Sequence, residues 1–98
     1  MKFEEFWSAL EELLQTKRDF VTIRDEKSFK ITPSIDAIRV DSERFSIPRV
    51  IKKEEFVKVY RASLDFSDEK KFHPGNYAKI SQNASYIVTL FDHIMNQR

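Results

Sequence analysis

The sequence predicts an α+β fold: an N-terminal helix, an antiparallel meander of three to four strands, and two C-terminal helices, at most winged-helix-like in arrangement. Three observations carry this. Apolar residues recur with a helical period as far as Leu14, with a period of 2 from Phe20 to Val40, and with a helical period again from Lys52. A chain of 98 residues, 41% hydrophobic with nine Phe, suits a single domain over 1–98 with one core. The joints between the strands of the meander are short and built from Asp, Ser and Pro, the residues that turn a chain with only one Gly.

Phe3, Phe6, Trp7, Leu10, Leu13 and Leu14 form the apolar stripe of the first helix, with Glu4 and Glu5 in its first turn and Lys17 and Arg18 beyond its last, the signs that the helix dipole favours. Trp7 belongs to that stripe and therefore to the core. Next, Val21 and Ile23 alternate with Thr22 and Arg24, Phe29 and Ile31 with Lys30 and Thr32, and Ile38 and Val40 with Arg39 and Asp41. These are three strands joined through D-E-K-S and P-S-I-D. Phe45 and Ile47 suggest a short fourth strand, but Pro48 lacks a donor and marks the exit from the sheet. Lys52 to Leu64 reads as the second helix, with Phe56, Val57, Val59, Tyr60 and Leu64 on one side and Glu54, Lys58 and Arg61 on the other. A long polar connection follows, anchored by Phe66, Phe72 and Tyr77. Asn83 then caps a last helix in which Tyr86, Ile87, Leu90, Phe91 and Ile94 share a face, despite β-branched Ile87, Val88 and Thr89.

Composition narrows the function. With no Cys there are no disulfides, thiolate nucleophiles or thiolate zinc sites, and a reducing cytoplasm is the simplest home. No apolar run approaches a membrane span. The sole glycine, Gly75, rules out every glycine-rich phosphate loop. His73 and His93 lack metal-ligand spacing and read as structural, so neither a cofactor nor a metal is expected and the chain reads as a non-enzyme.

The net charge is only +1, but it is unevenly spread: residues 24–61 hold ten Lys/Arg against seven Asp/Glu. Within them Arg44 to Lys53, R-F-S-I-P-R-V-I-K-K, carries four cations and no acid. Pleating is expected to send Lys30, Arg39, Arg44 and Ser46 to one sheet face, while Arg49, Lys52 and Lys53 lie where the chain enters the second helix. Cations at a helix start oppose its dipole, and an arriving phosphate reverses that sign, with Ser46 and Tyr60 as further donors. The seven residues Lys30, Arg39, Arg44, Ser46, Arg49, Lys52 and Lys53 are thus the candidate nucleic-acid contacts. The other reading is an ordinary solvated face, balanced by Glu43, Glu54 and Glu55.

S-F-K-I-T, A-I-R-V-D-S, I-P-R-V-I-K-K-E-E-F and N-A-S-Y-I, across residues 28–64 and 83–91, resemble small modules of restriction-type nucleases and mobile-element proteins. The resemblance implies a DNA-binding accessory module, with Arg39, Arg44, Arg49 and Lys53 as the contacts carried over; no nuclease residues accompany it. The expected function is a small DNA-binding or DNA-associated accessory protein that binds phosphates weakly, with little sequence preference, aided by dimerisation. The alternative is a protein-interaction module, an adaptor or inhibitor, that uses the 66–77 loop or a sheet edge.

Overall fold

The computed structural model describes residues 1–96 and has the predicted order of elements: α1 (Phe3–Leu13), β1 (Asp19–Val21), β2 (Ser28–Ser34), β3 (Ala37–Asp41), β4 (Arg49–Lys52), α2 (Lys53–Ser63), a short 3-10 helix (Pro74–Tyr77) and α3 (Ala84–Met95). The four strands form one antiparallel sheet in the order β1-β2-β3-β4. Phe20, Phe29, Ile31, Ile38, Val40 and Ile51 point to one side and are buried. Lys30, Thr32, Arg39, Val50 and Lys52 point to the other and are exposed. The helices therefore cover one face and leave the other open, as expected of segregated α+β layers.

Two strand expectations need correction. The period-2 reading placed Val21 and Ile23 together in the first strand, but β1 ends at Val21, which is 51% exposed, while Phe20 and Thr22 turn inward. A one-residue slip exchanges faces, and the register Phe20↔Phe29 fixes it by stacking the two rings 5.8 Å apart. The fourth strand lies beyond Pro48, at Arg49–Lys52, rather than at Phe45 and Ile47. Phe45 is drawn out of a strand path to pack edge-on against Tyr86, with ring centroids 6.2 Å apart, and Ile47 is 75% exposed.

The last helix is a helix, as predicted, and the reason is burial all round. Its residues Tyr86, Ile87, Val88, Thr89, Leu90 and Phe91 are all buried, so tertiary packing overrides the mild penalty of three consecutive β-branched side chains. Phe91 meets Phe6 of α1 at 4.7 Å and Phe56 of α2 at 6.4 Å, and Tyr86 meets Phe29 of β2 at 4.9 Å. Thr89 Oγ1 accepts the Ile23 N–H at 3.1 Å, tying the β1–β2 turn to α3. Trp7 packs edge-on against Phe56 in the core, as its spacing predicts.

The long connection is pinned rather than free. Phe66 packs edge-on against Tyr77, and the fully buried Tyr77 donates its hydroxyl hydrogen bond to the Lys71 carbonyl at 2.7 Å. Burial pushes the Tyr77 hydroxyl from its usual 10 up to about 12, because the phenolate is the form that desolvation penalises. A folded-state pKa raised in this way gives stability that is complete below the unfolded pKa and is lost as pH rises from 10 through 12. Unfolding by urea at about pH 9 and about pH 11 is expected to show wild type weakening at the higher pH more than Tyr77→Phe does, the variant being about 1 kcal/mol less stable at the lower pH.

Candidate nucleic-acid interface

The seven predicted contacts divide into separate groups. Lys30, Arg39 and Lys52 share the open sheet face. There Lys30 lies between its cross-strand neighbours Asp19 and Asp41, and Arg39 pairs with Asp41 at 3.3 Å, so the face carries three cations against two carboxylates. Lys53 turns instead to α1, with its ammonium 5.5 Å from the centre of the Trp7 ring and 3.6 Å from Glu4. Tyr60 donates its hydroxyl hydrogen bond to the Met1 carbonyl, and the first turn of α2 carries Glu54 and Glu55. The expected anion site of Lys52, Lys53, Ser46 and Tyr60 at the start of α2 is therefore not assembled. Ser46 lines a different depression, with Asp41 and Glu43. The seven do not form one surface, and Arg44 and Ser46 do not join Lys30 and Arg39 on the open sheet face as pleating predicts: strand pairing and helix packing send neighbours in sequence to different sides.

Arg44 and Arg49 are the pair that does come together. Arg49 follows Pro48 on the inner side of the β4 edge, in register with buried Val40, and its guanidinium lies 4.7 Å from the centre of the Phe45 ring. Arg44 sits in the turn just before Phe45, where its N–H donates to Ser42 Oγ at 3.2 Å. Together with Phe45, Gln82, Ser85 and Tyr86 they line a cavity of about 230 Å3 that has no carboxylate in its wall. The first turn of α3, which supplies Ser85 and Tyr86, is likewise free of acids.

A partly buried polar relay fixes Arg49. Its Nη1 donates to Asn83 Oδ1 at 3.2 Å; Asn83 Nδ2 donates to Glu55 Oε2 at 2.9 Å; and Ser81 Oγ donates to the same Glu55 oxygen and accepts the Asn83 N–H at 3.0 Å. Asn83 occupies the predicted cap position of α3 but makes no side-chain cap bond, because the relay takes both ends of its amide. The cation and the carboxylate thus communicate through a neutral amide and do not form a salt bridge, which leaves the remaining guanidinium donors available to a ligand. Among the described residues the Arg44 guanidinium is held by Asp25 alone, at 3.7 Å with both side chains about half exposed, and such a pair is worth roughly 0–1 kcal/mol, little enough for a phosphate to displace.

Sequence reasoning missed Gln82 and Ser85. They lie more than thirty residues from Arg44 and Arg49, and the available signal was the acid-free polar run S-Q-N-A-S just ahead of an apolar helix. Among the described residues no group of three or more His, Asp or Glu is placed to hold a metal ion, and no helix is long and apolar enough to cross a membrane. No protein family, curated protein or solved structure matches this chain, so its functional reading rests on its own geometry.

Proposed function

We propose that this protein is a small, non-catalytic DNA-associated accessory protein of the cytoplasm that grips the phosphate backbone at Arg44 and Arg49. The supporting observation is the cavity that these two arginines share with the Gln82 amide and the Ser85 hydroxyl, with no carboxylate in its lining. Guanidinium groups donate in a fixed fork that matches phosphate oxygens, and the amide and hydroxyl add neutral donors. None of these groups is a general base, which fits contact rather than turnover. Lys30, Arg39 and Lys52 on the open sheet face add a secondary field. Contacts of this kind set position and carry no base information, so binding is weak and indifferent to sequence.

Anisotropy of a labelled DNA duplex tests this. Wild type is expected to bind with log K falling against log salt at a slope of about −1.8 if two phosphates are neutralised, and about −4.5 if all five cations engage. Arg44→Glu/Arg49→Glu should lose more than about tenfold in affinity at low salt. Arg39→Glu/Lys52→Glu should lose less, since Arg39 is already paired with Asp41. Equal or undetectable binding by wild type and the first variant removes the DNA reading.

A second reading, as a protein-interaction module, is favoured by β4. Among the described residues this strand pairs only with β3, and Val50 and the nearby Ile47 are 60% and 75% exposed beside its outer edge. Such an edge accepts an added strand. The 66–77 loop does not favour it, because its Phe66 and Tyr77 pack against each other.

A further inference from the structure

A larger cleft, of about 730 Å3, shares Arg44 with the arginine cavity, so that the two adjoin through one side chain. Their linings differ in charge. The smaller cavity has two guanidinium groups and no acid. The larger is lined by five Asp/Glu against four Lys/Arg, and parts of Phe20, Val21, Ile23 and Phe29 make much of its wall apolar. A phosphate is favoured in the first and gains no net attraction in the second. A ligand spanning both is anionic at one end. At the other it is neutral and partly apolar, with N–H groups to offer to carboxylates such as Glu43, which has no ion-pair partner within 4.0 Å among the described residues.

A nucleotide has that polarity, since its phosphate is charged while its base is a flat, uncharged ring that in C, A and G carries an exocyclic amine able to donate to a carboxylate. We propose that the 730 Å3 cleft receives the base of an unpaired nucleotide whose phosphate lies at Arg44 and Arg49. This inference rests on the DNA reading above and adds a preference to it. A base inside a duplex reaches the cleft only after it is unstacked and unpaired, at a cost of roughly a few kcal/mol, whereas a bulged base has already left its partner. The ligand class is therefore DNA with a bulge or another unpaired position rather than continuous duplex. Glu43 lines the cleft from an exposed turn, so replacing it removes the acceptor without entering the core.

Two labelled DNA hairpins, identical except that one carries a single bulged 2-aminopurine nucleotide, provide the test. Wild type should bind the bulged hairpin about tenfold more tightly, the equivalent of ~1.4 kcal/mol of unstacking that the ligand no longer requires, and the 2-aminopurine emission should change on binding. Glu43→Leu, which removes the carboxylate offered to the exocyclic amine, should lower the preference severalfold and leave the affinity for the fully paired hairpin no weaker than that of wild type. If wild type binds both hairpins equally, or Glu43→Leu retains the full preference, the base assignment is overturned while the phosphate contacts stand. If wild type binds neither hairpin, the phosphate reading fails and takes this inference with it.

Discussion

Replacing Phe91 with Ala is expected to lower the unfolding free energy by about 3–5 kcal/mol, a large share of the roughly 5–15 kcal/mol that holds a typical domain together. Phe91 is 1% exposed and sits where the three helices meet, edge-on to Phe6 of α1 at 4.7 Å, to Phe56 of α2 at 6.4 Å and to Tyr60 of α2 at 6.4 Å. Truncation removes the transfer energy of the ring, leaves a cavity that three rigid helices cannot close, and loses edge-to-face contacts worth about 0.5–1.5 kcal/mol per pair. Urea unfolding followed by circular dichroism is the measurement, with the midpoint falling at unchanged slope. Phe91→Leu should recover part of the loss by refilling the space. A loss below about 1 kcal/mol for Phe91→Ala would contradict the central place given to α3.

Glu55→Ala is expected to cost about 2–3 kcal/mol although it removes a half-buried surface acid from the first turn of a helix, where most substitutions cost little. The reason is what it orphans. Ser81 and Asn83 are 6% and 5% exposed, both donate to Glu55 Oε2, and neither has an alternative acceptor for that hydrogen bond among the described residues. Glu55→Gln keeps a carbonyl oxygen in place and should recover part of the loss. A double-mutant cycle with Asn83→Ala measures the coupling, and strict additivity of the two losses would show that the relay is not a unit. On the proposed reading the same variant also bears on binding: Arg49 loses the support that Glu55 gives to Asn83, and DNA affinity should fall by severalfold even under conditions where the protein remains folded.

Much of the fold was legible in the sequence because each element carries its own period. Phe3 to Leu14 announce α1 and the side it buries, and the alternation of Phe29, Ile31, Ile38 and Val40 fixes the two central strands, since a half-buried sheet tolerates no other register. The errors fall at the edges of the sheet. Three residues of β1 and four of β4 are too short to establish a phase of their own, so their faces were decided by partners, Phe29 stacking on Phe20 and Tyr86 drawing in Phe45. The site was half legible. The four cations between Arg44 and Lys53 stand out as a run, yet of these only Arg44 and Arg49 line a common cavity among the described residues.

What the sequence determined by itself was the layer architecture and a local excess of positive charge, because periodicity and composition are properties of neighbours along the chain. Which cations act together was decided only by tertiary structure. Lys53 was taken by Trp7 and Glu4, Arg39 by Asp41, and Arg49 was set beside Arg44 by an amide and a carboxylate more than thirty residues and six residues away in sequence. Coulombic and hydrogen-bonding forces act through space over a few ångströms, so a run of like charges acquires a function only once folding has assigned each its companions.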